Sequence, residues 1–339
     1  MKIKLVQIRD GRGQRRIGLV DEPELRLLRP EYDSVFRFAS RAINGGEAVS
    51  DLIELSLTGD KLFYDDIYYG KSDWRLLPSF DQPDNPLSCM VSGTGLTHKA
   101  NVEKSDQMQG VASRASGRTD SQIMYQWGVE GGKPASGVPG AQPEWFFKGN
   151  GVTLKGHGEA LDVPFYARDG AEEAEVAGLY LINENGQPWR IGYTQGNEFS
   201  DHEMGKQNHL YLGPSKLRSC AIGPEVVLNP DFTDIHGKVF ILRNQEVFWE
   251  SELRSGEMNM IHSLENLEFH HFKHVQHRVP GQVHIHYFGT SSCSYNAGLS
   301  LLEGDLMRVS FEGFGRPLEN TLRKGEDDAP SLKAKPLLI

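Results

Sequence analysis

The stretch Glu173-Ala-Glu-Val-Ala-Gly-Leu-Tyr-Leu-Ile182, with the turn Asn183-Glu-Asn-Gly-Gln187 and the run from Pro188 to Glu198, decides how this chain reads. Glu175 through Ile182 predict a strand, and Asn185-Gly186 is a strong signal for a two-residue hairpin turn. Strand side chains alternate between faces, so Glu173 and Glu175 project the same way. If the turn pairs Glu184 with Gln187, counting outward sets Glu173 opposite Glu198. Three carboxylates then share one small patch. Uncompensated, they repel and raise one another's pKa. A hard divalent cation with oxygen ligands, such as Mg²⁺, would relieve that repulsion. The other reading is a solvated acidic hairpin face, and a single bulge would shift the register.

Around this hairpin the chain is ordinary in bulk. Its 339 residues suffice for one large domain or two smaller ones. Charged residues make up 24% and hydrophobic residues 38%, as in a soluble globular protein. A formal net charge of −10 argues against nucleic acid or an anionic membrane as the main partner. No apolar run approaches the roughly 20 residues that span a bilayer. The start, MKIKLVQIRDGRGQ, has no apolar core of a secretory signal, and none is expected. Cys89, Cys220 and Cys293 are odd in number and far apart, so reduced thiols and a cytoplasmic location are expected, without a thiolate zinc site. The 37 glycines and 17 prolines are scattered, which fits many turns between short strands.

Upstream, residues 1–8, Arg16–Asp21 and Glu24–Arg29 alternate as strands. Ser34 is positioned to cap a helix through Ile43, and Leu52–Leu57 reads as its continuation. Pro78, Pro83 and Pro86 punctuate a linker. Residues 100–142 are polar, without clear periodicity, and read as a long connection that is either a functional lid or disordered. Downstream, apolar residues at 3–4 spacing predict a helix over Glu257–Gln276, and Gln282–Phe288 and Leu306–Phe311 predict strands. The expected division is a small N-terminal α/β domain at 1–85, a larger domain at 86–323 and a loosely ordered tail at 324–339.

The order of Pro143-Glu-Trp-Phe-Phe-Lys148, Gly156-His-Gly-Glu159, Glu173-Ala-Glu175, Gly192-Tyr-Thr-Gln-Gly-Asn-Glu198, Ala221-Ile-Gly-Pro224, Val279-Pro-Gly281, Gly289-Thr290, Glu303-Gly-Asp305 and Glu312-Gly-Phe-Gly315 resembles the fumarylacetoacetate hydrolase superfamily. The likeness covers about residues 85–322. Leu212-Gly-Pro-Ser-Lys216 and Ser219-Cys-Ala-Ile-Gly-Pro224 resemble its bacterial sugar-acid branch, which includes 2-keto-3-deoxy-pentonate dehydratases. The resemblance implies an α+β fold with a mixed β-roll or β-sandwich catalytic domain. It also implies a divalent metal (Mg²⁺ or Mn²⁺), an α-keto acid substrate and a homodimer or homotetramer.

Carried onto this chain, the resemblance implies metal ligation by Glu173, Glu175 and Glu198, with Glu198 standing where the family usually has Asp. Lys216 and Lys148 are the implied base candidates, and each could instead salt-bridge the carboxylates. Glu159 and His98 are acid or water-positioning candidates, or else hydrogen-bonded structural groups. Gly289-Thr290 resembles the turn that takes the substrate carboxylate. Hydrolases of the family carry a His-x-x-Glu dyad, whereas here His98 is followed by Asn101, which cannot accept a proton; Glu103 has the wrong spacing. A dehydratase of a 2-keto-3-deoxy sugar acid is therefore the leading expectation. A C–C hydrolase of acylpyruvate or 2,4-diketo-3-deoxy sugar acid type comes second, and a non-catalytic sugar-acid binding protein third. Six histidines fall between His270 and His286. They read as structural or surface residues in preference to transition-metal ligands.

Overall fold

In the computed structural model, residues 2–98, 119–325 and 333–337 are described. The alternating N-terminal segments form an antiparallel meander, β1 (Lys4–Arg9), β2 (Arg15–Asp21) and β3 (Glu24–Leu28). The Ser34 side chain accepts from the Arg37 N–H and starts α1 (Val35–Gly45). Gly46 ends it in the left-handed region at φ 63°, so Val49–Ser56 forms a separate helix, α2, and does not continue the first. β4 (Leu57–Phe63), α3 (Tyr64–Tyr68) and β5 (Arg75–Leu76) complete this part.

Next come β6 (Cys89–Gly93), α4 (Asp120–Gly131), β7 (Phe146–Asn150), β8 (Leu154–Lys155) and β9 (Leu161–Val163). The hairpin strands are β10 (Ala174–Ile182) and β11 (Pro188–Asn197). α5 (His202–Gln207), α6 (Leu212–Lys216), β12 (Cys220–Ile222), β13 (Val226–Val227), β14 (Ile235–Arg243) and β15 (Glu246–Ser255) follow. The chain continues through α7 (Leu264–Phe272), β16 (Val283–Tyr287), β17 (Leu306–Phe311) and β18 (Leu318–Lys324).

A large mixed sheet runs in the order β4-β3-β2-β1-β13-β11-β10-β16-β6-β7. Because β1 pairs with β13 through Lys4↔Val227 and Leu5↔Val226, hydrogen bonding crosses the division expected near residue 85. A second sheet, β15-β14-β17-β18-β9, packs on it. Their shared core includes Val176, Tyr193, Phe288, Val239 and Met307. On the opposite face of the large sheet, Ala177, Leu179 and Ile285 meet Phe38 and Leu52 of the N-terminal helices. β10 is therefore buried on both sides along its whole length.

Two sequence expectations are corrected. The polar stretch 100–142 contains α4, whose start is a capping box: Thr119 accepts from the Gln122 N–H, and the Gln122 side chain accepts from the Thr119 N–H. Its first part, to residue 118, lies outside the described residues. The helix predicted over Glu257–Gln276 is shorter, because Ser263 caps α7 and accepts from the Asn266 N–H. In the tail, residues 333–337 are exposed and lack regular structure. Among the described residues, no helix is long and apolar enough to cross a membrane.

Candidate active site

The hairpin pairs Ala174 with Asn197 at one end and Ile182 with Pro188 at the other. Its turn is one residue longer than predicted, since the Asn183 N–H donates to Gln187 O and the Gly186 N–H to Asn183 O. Ile191 is an extra residue on β11, between the pairs Leu179↔Gly192 and Tyr180↔Arg190. The longer turn moves the register by one residue and the bulge moves it back. Glu198 therefore faces Glu173, its N–H donating to Glu173 O at 2.9 Å. Glu173, Glu175 and Glu198 are buried, and one oxygen of each lies within 4.8 Å of the others.

Two ammonium groups face these carboxylates. Lys148 on β7 is fully buried, lies 2.8 Å from Glu198 and donates to Phe199 O. Lys216, at the end of α6, donates to Glu173 and, at 2.5 Å, to Glu198; its Nζ lies 4.6 Å from the Phe146 ring centroid. Both lysines thus make the salt-bridging contacts. Burial pushes Glu198 up to about 7 against the pull of Lys148 and Lys216. Burial also works against Glu173, but Lys216 and His202 outweigh it and hold its carboxyl well below the usual range. At Glu175, burial and the neighbouring Glu198 and Glu173 all oppose the charge, and its pKa stands well above the usual value. For Lys216, the two carboxylates overcome the effect of burial and raise its pKa.

The cluster opens on a cavity of about 250 Å³ lined by Glu173, Lys216, Glu144, His202 and Tyr295, among others. Sequence reasoning missed Glu144. Burial lifts its carboxyl to about 7, with Lys216 pulling it down and Glu173 pushing it up. A signal was present: Glu144, Phe146 and Lys148 stand two apart in a strand-like run, and Phe146 and Lys148 are buried while Phe147 between them is exposed. Gly95 leaves room for the Glu144 carboxylate, and an added Cβ there would push it aside. His202 was missed as well. Asp201 caps its short helix, accepting from the Met204 N–H, and His202 Nε2 lies 3.4 Å from Glu173.

The other sequence candidates are placed differently. Glu159 is exposed, accepts from the Gly156 N–H at 2.6 Å to close its own turn, and is not brought to the cavity. His98 is buried. The Thr97 hydroxyl donates to Phe288 O, so His98 Nδ1 donates to Thr97 at 2.8 Å, and burial lowers the imidazole pKa to about 4. Asn101 and Glu103 lie outside the described residues. The Gly289 N–H and the Thr290 hydroxyl are engaged within the protein. The Gly289 N–H, at φ 92°, donates to Glu175 at 2.7 Å, and the Thr290 hydroxyl donates to Ser292 O at 2.7 Å. Among the described residues, the glutamate triad is the group of His, Cys, Asp or Glu close enough to hold a metal; the histidines form none. Its hard oxygen donors, with an ammonium already seated between two of them, fit a hard divalent ion.

No family model matches the chain. Over 179 residues it is 30% identical to a Haloferax volcanii protein named "Probable 2-keto-3-deoxyxylonate dehydratase", covering 51% of this chain and 58% of that protein. The match thus spans little more than half of that relative's length. A solved structure of 2-keto-3-deoxy-D-arabinonate dehydratase, complexed with magnesium and 2,5-dioxopentanoate, is similar at TM-score 0.69 and 21% identity, over 95% of this chain and 99% of that one. A 2-hydroxyhepta-2,4-diene-1,7-dioate isomerase from Mycobacterium marinum is similar at TM-score 0.57 and 17% identity, over 95% and 98%. The resemblance read from the sequence therefore holds at the level of fold: this chain has the α+β architecture of the fumarylacetoacetate hydrolase type and resembles its 2-keto-3-deoxy-pentonate dehydratases.

Proposed function

We propose that this protein is a Mg²⁺- or Mn²⁺-dependent dehydratase of a 2-keto-3-deoxy sugar acid, with a pentonate giving 2-oxoglutarate semialdehyde. The observation that carries the reading is the buried triad Glu173, Glu175 and Glu198, open to a cavity that also holds Lys216 and the readily protonated Glu144. The names of the similar proteins support the same chemistry. The bound ion would supply Lewis acidity at the C1 carboxylate and C2 keto oxygens, easing loss of a C3 proton.

The chain's own groups divide the remaining work. Lys216 is the proposed carrier of the C3 proton. Two ion pairs hold its ammonium charged here, so accepting that proton requires those pairs to loosen when the site is loaded. Glu144 is the proposed acid. It delivers a proton to the C4 hydroxyl, the C4–O bond breaks and water leaves. Transfer of a C5 proton to C3 then gives a C4–C5 enol, and transfer of its hydroxyl proton to C4 yields the aldehyde at C5. Lys148 holds Glu198 in place from the buried side.

Incubation with Mg²⁺ and a panel of 2-keto-3-deoxy-pentonates plus an acylpyruvate, followed by mass analysis, tests the reading. Loss of one water, abolished by EDTA, is expected. Addition of water with C–C cleavage would establish a hydrolase instead. We further read the protein as a cytoplasmic homodimer or homotetramer. Three free, buried cysteines support a reducing compartment, and Val247 and Phe248, exposed on the edge strand β15, support self-association. Light scattering on the purified protein checks the assembly.

A further inference from the structure

The acidic entry to β10 has a fourth carboxylate that the chemistry above does not use. Glu172 is fully buried, and strand parity turns it away from Glu173 and Glu175. Its two oxygens accept from Ser294, one from the N–H at 2.6 Å and one from the hydroxyl at 2.5 Å. Glu175 takes the Gly289 N–H from the other end of the same segment. Residues 289–294, leaving β16, are therefore tied to the start of β10 at both ends. The next two residues, Tyr295 and Asn296, line the cavity.

Tyr295 is fixed in two directions. Its ring stacks on His202, centroids 4.7 Å apart and 16° from parallel, and its hydroxyl donates to Glu203 at 2.7 Å. A buried carboxylate is a costly way to hold a loop. It makes sense where the residues that follow must be rigid to select a ligand. A fixed aromatic ring offers a flat surface for C–H groups, and an asparagine amide, with several hydrogen-bonding positions, can pair with a hydroxyl.

We propose that Tyr295 and Asn296 recognise the hydroxylated tail of an α-keto acid whose head lies at the carboxylate triad, with Glu172 as the residue that positions them. The placement of the head rests on the dehydratase reading. The role of the segment does not require turnover.

The test compares binding of 5-hydroxy-2-oxopentanoate and 2-oxopentanoate to the Mn²⁺-loaded protein by calorimetry. Wild type is expected to favour the hydroxylated acid about tenfold, the scale of one good hydrogen bond. Asn296→Ala and Tyr295→Leu are expected to bring the ratio close to one. Glu172→Ala should do the same, while Glu172→Gln keeps most of the preference because its amide oxygen still accepts from the Ser294 N–H. Mn²⁺ affinity, read by electron paramagnetic resonance, should be unchanged in Asn296→Ala. A wild-type ratio of one, or an unchanged ratio in both Asn296→Ala and Tyr295→Leu, overturns the proposal. A preference that is present in wild type and lost in the variants, in a protein that dehydrates no sugar acid, overturns the dehydratase reading and leaves this one standing.

Discussion

The two faces of the large sheet bury polar groups in opposite ways. On one face, Glu173, Glu175 and Glu198 bring three carboxylates together with Lys148 and Lys216. On the other, β16 pairs His286 with Gly178 and His284 with Tyr180, so these rings project away from the side of Glu175. The Trp145 N–H donates to His271 Nδ1 at 3.2 Å, which leaves His271 Nε2 to donate to His284 Nδ1 at 2.9 Å. Ser92 and Thr94 hydroxyls hold His286 at 2.8 and 2.7 Å. Burial and the neighbouring rings keep these histidines neutral, with His284 and His286 pushed down to about 3. The histidine face thus largely satisfies itself as neutral rings, whereas the acidic face gathers charge that a bound cation would complete. That contrast marks the chemically active side better than the count of titratable residues does.

Four changes would break or sharpen the contrast. The largest effect is expected from Glu173→Gln, which should lower kcat/KM on the order of 10³-fold with the fold retained by circular dichroism. Retained turnover at wild-type metal concentration would sink the metal assignment. Next, Lys148→Met leaves the buried Glu198 with Lys216 as its one remaining lysine partner and should cost about 3 kcal/mol in urea unfolding. Adding Glu198→Gln should recover much of that stability; no recovery would mean that Lys148 acts through packing alone.

Glu144→Gln should lower kcat by roughly 10²-fold. With its carboxyl at about 7, wild-type kcat should fall as pH rises past that value and the acid loses its proton. In Glu144→Gln this alkaline limb should vanish; an identical pH profile would remove Glu144 from the chemistry. The smallest effect belongs to the histidine face. Its folded pKa values lie below the unfolded value of about 6.5, so the unfolded chain takes up protons first on acidification. Stability from these rings is complete above about pH 6.5 and is lost as pH falls toward 3. Each fully buried ring should cost roughly 2 kcal/mol between pH 6.5 and 5. In the variant His284→Phe, unfolding midpoints across that range should fall less steeply; an unchanged slope would show that the rings do not couple to folding.

Much of the acidic face was legible because parity is local. Glu173 and Glu175 share a side in any strand, and the fragments around them resemble one family. The register prediction reached the right partner for Glu173 through two departures that cancel, a longer turn at Asn183–Gln187 and a bulge at Ile191. The alternation of Glu144, Phe146 and Lys148 was readable too, but nothing local said that β7 would lie beside β6 with this side toward Lys216. The sequence also did not show that the Gly289 N–H would go to Glu175 and the Thr290 hydroxyl to Ser292.

By itself the sequence determined the many short strands, the hairpin and the side on which its carboxylates stand, because alternation and turn chemistry act over a few residues, while the α+β class was what the family resemblance implied. The resemblance already implied Lys148 and Lys216, but only the tertiary structure decided which other distant groups join them at the carboxylates. Glu144, His202 and Tyr295 come from separate segments, and strand order, bulges and the burial of charge bring them together. Such pairings depend on packing across the whole sheet, and no window of sequence contains that information.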